Sequence, residues 1–360
     1  MPEKLVMAAV EGQVSSNRHW INNMEVGPVF RLMESLMVPP EKNCPGHNDT
    51  PSATEFLNNL EPFQKVLIVI ATCFTAIIYL LAIFHWIFVY RFVSIETRRN
   101  KLYWLVTLFP VSTGCCLIGM LVPRTSLIMT ALGILYYLMC LFVIVSLCRH
   151  LFGGRLSFSH SIQTKRIDFR SPPFCCIIPF LPTAEGTEKN LRRLEWLVLQ
   201  APVVRAIIIV CDIVAVAEMR EGAKMFLRYS DMLSVGSLLL AIFGVHTLAR
   251  VTSNKLSSYC FMTIFRFVDV SLLFFSAQQP MIFQNVLLRF GLIDCGPLLS
   301  ATENATFVCN FVIICEMFIL CILATILLRP SRNATFDVYH VLKSTDSFHG
   351  TDTSMLDEDI

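Results

Sequence analysis

Five ionisable residues stand deep inside stretches of chain that are otherwise apolar: Arg205, Asp212, Arg266, Asp269 and Glu316. A charge at the centre of a hydrocarbon layer costs on the order of 3 kcal/mol on insertion scales, so such residues face a partner or a polar cavity. Arg266 and Asp269 are three apart, a spacing that lets them pair on one helix face. Depth is counted at about 1.5 Å per helical residue from the inner ends of their segments. Arg266 then lies at roughly 8 Å, Asp269 at roughly 12 Å, Arg205 at roughly 17 Å, Glu316 at roughly 20 Å and Asp212 at roughly 27 Å. Arg205, Asp269 and Glu316 share one mid-depth band, and a polar cluster that also takes in Gln200, Gln278, Gln279 and Gln284 is expected there. Such a cluster has two uses. Its charges neutralise one another and fix helix register, or they border a solute path, where an arginine meets an anionic group and glutamines meet hydroxyls. The residues expected along that path are Arg205, Arg266, Asp269, Gln278, Gln279 and Glu316. Pro110, Pro202 and Pro280 are expected to break helices and free carbonyls that line a cavity. His85 and His246 fall near the inner ends of their segments and read as interfacial histidines.

The elements that must position these groups follow from composition. The 360 residues are 54% hydrophobic and 16% charged, with mean hydropathy +0.60, which puts the chain in a bilayer. Seven segments are long and apolar enough to cross it: Val66 to Tyr90, Leu102 to Val122, Thr125 to Cys148, Leu194 to Ala217, Ser230 to Ala249, Phe261 to Val286 and Phe307 to Leu328. Their apolar runs are continuous rather than alternating, so helices rather than a closed barrel are expected. The fold class is an all-α polytopic membrane protein. An N-terminal tail over 1–65 precedes a seven-helix domain over 66–328 that carries a loop at 149–193, and a tail over 329–360 follows.

Orientation follows from lysine and arginine. With the N-terminus outside, seventeen basic residues fall on the inner segments, among them Arg98, Arg99, Arg192 and Arg193, against five in the outer loops. The N-terminus is therefore expected outside and the C-terminus in the cytosol. Asn48 and Asn304 are then candidate glycan acceptors, and the sequon at Asn333 lies inside and should be bare. Cys295 and Cys309 bracket a short outer loop that a disulfide would close, with Cys44 a competing partner for either. Cys175 and Cys176 sit in Pro-Pro-Phe-Cys-Cys-Ile-Ile-Pro-Phe-Leu-Pro, an interfacial segment in which they are candidates for palmitoylation. Tyr339 to Leu342 matches a tyrosine-based sorting pattern.

Several classes are excluded. The net charge of +2 gives no basic excess for nucleic acid. No Gly-rich phosphate cradle and no Cys/His set at zinc spacing occurs, so neither cofactor nor metal is expected. The last segment has neither the proline of the common receptor signature nor a lysine for a retinal Schiff base. Asp212 and Asp269 differ in depth by about 15 Å, too far to share the water of an intramembrane protease, so an enzyme is not expected.

Short ordered matches then point to a family. Pro110 with Cys115-Cys116, Pro123-Arg124 and Phe152-Gly153-Gly154 resemble the second and third spans of the organic solute transporter alpha subunit family. Gln279-Pro280 with Ile282-Phe283 is similar to its sixth span, and Cys295, Cys309 and Glu316 to its last outer loop and seventh span. The family's long cysteine run is reduced here to Cys175-Cys176. The resemblance implies a plasma-membrane carrier that works with a single-pass beta subunit among membrane lipids. It would move bile acids, steroid sulfates and related sterol or lipid conjugates by facilitated diffusion. A flat apolar substrate with one negative group suits a lipid-facing groove with few polar anchors. A seven-helix receptor or adaptor without transport activity is the alternative, and association into a homo-oligomer is left open.

Overall fold

The computed structural model describes residues 50–154, 157–158, 160, 166–168, 183–219 and 223–343. Cys44, Asn48, Cys175 and Cys176 lie outside the described residues. Within them, seven helical segments are long and apolar enough to cross a membrane. A short helix α1 (Ala53–Asn58) leads into α2 (Pro62–Phe92), the first span. Span two is α3 (Glu96–Val106) with α4 (Leu108–Leu121), and span three is α5 (Ser126–Leu151). Span four is α6 (Glu188–Met219) and span five is α7 (Ala223–Thr252). Span six joins α8 (Phe261–Ala277) to a π-helical stretch over Gln278–Leu287. Span seven is α9 (Ala301–Leu327). The described part of the long loop adds an antiparallel pair, β1 (Arg166–Asp168) with β2 (Thr183–Glu185).

Local chemistry sets the ends. Pro62 stands in the first turn of α2, where its missing N–H costs nothing, behind a capping box of Glu61 and Gln64. Ser300 and Glu303 form the same box on α9, so that helix begins six residues earlier than its apolar run. Span three ends at Gly153 (φ 80°) and Gly154 (φ 113°), whose N–H groups take the carbonyls of His150 and Arg149. The positive φ that closes this cap suits glycine alone at low cost.

The prolines act unequally. Span two is interrupted at Thr107, three residues before Pro110, where the ring removes a ladder N–H. The exposed Trp104 carbonyl accepts instead from the Tyr136 hydroxyl of span three at 2.8 Å. Pro280 sits in the π-helical stretch, and the Asn285 amide nitrogen donates to its carbonyl at 2.5 Å. Pro202, expected to break span four, is instead buried inside one continuous helix. Spans four and five pack along their length, and that packing keeps the helix continuous through the lost hydrogen bond.

Span three is the hub. It packs against spans two, four, five and six, while span seven packs against one, two and six. Gly133 on span three admits the Phe275 ring of span six so closely that a Cβ there would meet it at 2.2 Å. Phe74 and Phe318 stack at 4.4 Å between spans one and seven. Large apolar side chains such as Phe84, Ile87, Val210 and Leu233 remain exposed around the bundle, the pattern of a lipid-facing surface. After span seven the chain folds back over one end. The N–H of Ala334 donates to the Ser258 carbonyl, and Asp337 accepts from the N–H and hydroxyl of Ser94.

Candidate functional site

The single polar cluster expected between spans four, six and seven does not form, because span four packs on three and five rather than on six or seven. Its members separate into pairs. Arg205, only 8% exposed, donates to the Ser234 hydroxyl at 2.5 Å, with Asp231 and Asp212 close enough to act on its charge. Asp212 accepts from Ser230 at 2.5 Å, and Gln200 exchanges two hydrogen bonds with Ser237. All of these contacts join spans four and five. Asp231 was missed in the sequence because it sits one residue inside its apolar run, where a charge reads as interfacial.

Asp269 does not pair with Arg266. It meets His246 of span five at 2.9 Å, so His246 is a hydrogen-bond partner within the bundle rather than a solvated interfacial residue. The two side chains diverge because Asp269 points toward span five while Arg266 is exposed over the seam with span seven. Gln278 donates to Glu316 at 2.6 Å and Gln279 to the Thr306 hydroxyl at 3.2 Å, so the expected link between spans six and seven exists without Arg205. Gln278 Oε1 and Glu316 Oε2 are buried without a hydrogen-bond partner.

An apolar cavity lies elsewhere, at the end of the bundle where Arg98, Arg99 and Arg329 gather. A cavity of about 290 Å³ opens between spans one, two, six and seven. Span one supplies His85 and Val89, and the broken part of span two supplies Leu105, Val106, Leu108 and Phe109. Ile264, Phe267 and Val268 come from span six, Ala324, Thr325 and Leu328 from span seven. The floor is Arg329, Pro330, Asn333 and Phe336 of the returning tail. The polar groups are few: His85 meets the Thr325 hydroxyl at 3.0 Å, and Arg329 offers a cation. An apolar chamber near 300 Å³ with a few convergent polar groups is the usual form of a small-molecule site. Pro110 and His85 were the two hints legible in the sequence, which carries no sign that spans one and seven are neighbours.

Beside the cavity, a groove on the outer face of spans six and seven is lined by Thr263, Arg266, Val270, Leu320, Leu323 and Leu327. Arg266 has no ion pair among the described residues and only approaches the Phe265 ring, at 6.0 Å. The chemistry on offer is a cation set among aliphatic side chains. No group of three or more His, Cys, Asp or Glu that could hold a metal occurs among the described residues.

The modification candidates are placed in part. Cys309 is a free thiol buried in α9, so the expected Cys295–Cys309 bridge is not formed. Cys309 belongs to the helix that the Ser300 cap starts early, which turns it into the core, and Cys295 is disulfide-bonded elsewhere. Asn304 lies in the first turn of α9 with its amide nitrogen on the Asp294 carbonyl at 3.1 Å. Asn333 is 2% exposed.

Fold and site together define a multi-pass helical membrane protein built around an apolar cavity with a cationic floor, beside a lipid-facing groove that carries an arginine. The pattern of the family described as organic solute transporter Ostalpha matches residues 67–333. The chain is 65% identical to organic solute transporter alpha-like protein 3 of Caenorhabditis elegans, over 91% of its own length and 96% of the relative's. Similarity to organic solute transporter subunit alpha is 22% identity in Danio rerio and 23% in Homo sapiens, each over 78% of this chain and 87% and 83% of the relative. The chain belongs to the organic solute transporter alpha family, a family of transporter subunits and not of enzymes. No solved structure matches it.

Proposed function

We propose that this chain is the carrier subunit of a plasma-membrane transporter for amphipathic organic anions such as steroid sulfates, bile acids and sterol or lipid conjugates. It acts by facilitated diffusion, with a single-pass beta subunit as partner. The N-terminus is outside and the end bearing Arg98, Arg99 and Arg329 faces the cytosol, as the positive-inside asymmetry supports. Acylation of Cys175 and Cys176 and a glycan on Asn48 fit that orientation. Asn304, tied into a helical turn, is a poorer acceptor.

The observation that carries the reading is the cavity: apolar walls from four spans and a cation at its floor. A rigid hydrocarbon body buries its surface against Leu105, Phe109 and Val268 while its single negative group reaches Arg329. Burial at roughly 25 cal/mol per Å² supplies affinity without a counter-ion. Uptake of a labelled steroid sulfate into cells expressing the chain, with and without a candidate single-pass partner, tests the proposal. Saturable uptake that needs this chain supports it. No uptake under either condition removes it.

A further inference from the structure

Two hollows lie on opposite sides of one wall, and the wall is the seam between spans six and seven. On span six, Ile264 and Val268 face the interior cavity, while Thr263, Arg266 and Val270 face the lipid-side groove. On span seven, Thr325 and Leu328 face the cavity, while Leu323 and Leu327 face the groove. One side chain borders both spaces: Phe267, which is 8% exposed. We infer that Phe267 is a lateral gate through which an amphipathic anion passes between the membrane leaflet and the cavity, with Arg266 holding the anionic group at the groove side.

Three features support this role. The first is the absence of a polar tie in the seam. Spans six and seven are fastened farther along by Gln278 to Glu316 and Gln279 to Thr306. At the other end the start of span six is held to the tail that continues from span seven, through Ala334 on Ser258 and Thr335 on Tyr259. Between these fastenings no side-chain hydrogen bond joins the two spans among the described residues, so the seam parts without leaving a polar group bare in hydrocarbon. The second is that Phe267 has one bulky aromatic ring on two rotatable bonds, and rotamer rotation moves it without moving the backbone. The third is Arg266 itself. An arginine facing lipid without a carboxylate is costly unless an anion visits it, and a guanidinium presents a fork that matches a sulfate or carboxylate. Asp269, one turn on, is held by His246 on the other side and does not compete.

The inference rests on the carrier reading for its substrate but not for its test. Thr325→Cys places a thiol in the cavity, and its modification by a membrane-dissolved alkyl maleimide or by a charged, water-soluble thiol reagent is followed by peptide mass spectrometry on the full chain. With Phe267→Ala added, alkylation from the membrane should accelerate several-fold while the charged reagent's rate stays constant. Phe267→Trp should slow it. Equal rates in all three backgrounds, or an equal gain with both reagents, overturn the gate. Steroid sulfate flux per surface molecule is measured alongside. Absent flux with responsive labelling rejects the carrier reading and leaves the gate, whereas normal flux that ignores both Phe267 variants rejects the gate.

Discussion

At the scale of single residues, what matters is which ionisable groups are already paired. Arg205 is bound to Ser234 and lies within electrostatic reach of Asp231 and Asp212, so its work is to hold spans four and five together. Removing one member of a buried charged set costs about 3 to 5 kcal/mol. Arg205→Ala should therefore lower surface abundance and Tm in detergent and leave flux per surface molecule unchanged. Arg266 is the opposite case, with no ion pair to lose among the described residues. Arg266→Gln should leave abundance intact and raise the half-saturation concentration for anion uptake on the order of tenfold, the worth of one charged hydrogen bond. Glu316→Gln brings an N–H toward the unpartnered Gln278 Oε1, so Tm should be unchanged or higher. Sequence singled out all three residues as costly in a bilayer. It did not assign their partners, because spacing along one helix says nothing about which neighbour its face meets. Asp269 shows the point: three residues from Arg266, it turns instead to His246.

At the scale of elements, the spans themselves were legible, since length and apolar composition are enough to locate a helix in lipid. Their ends and interruptions depend on local chemistry. The box of Ser300 and Glu303 draws the last helix back across Asn304, and Pro110 opens span two while Pro202 leaves span four whole. Helix contacts are equally specific. Gly133 leaves room for Phe275, and Gly133→Val should cost about 1 to 3 kcal/mol or more by overpacking, read as a lower Tm. The returning tail is latched by Asp337 on Ser94. Partial burial alone would raise the Asp337 carboxyl, but the Ser94 hydroxyl and N–H, with Arg98 nearby, outweigh it and hold its pKa below the usual carboxylate value. A group shifted in that direction stabilises above its unfolded pKa and loses its contribution as pH falls through the folded one. The latch is intact at neutral pH, begins to weaken below about pH 4, and is lost as pH falls through the lower folded value. Limited proteolysis should cut after span seven faster in acid, and Asp337→Asn should show the acid pattern at pH 7.

At the scale of the whole molecule, the arrangement of spans places the cavity between one, two, six and seven, with four and five set aside against span three. Charge alone had pointed to spans four, six and seven. Helix neighbours are not written in a single chain of apolar segments, because lipid accepts nearly any face and only packing decides between them. The central claim is that amphipathic anions cross through this cavity. Its most direct test is flux of a labelled steroid sulfate into proteoliposomes holding the chain and its partner, comparing wild type with Leu105→Trp, which fills the cavity without touching the groove. Saturable flux that follows the gradient and is abolished by Leu105→Trp at unchanged Tm is the expected result; flux that persists with the cavity filled would contradict it.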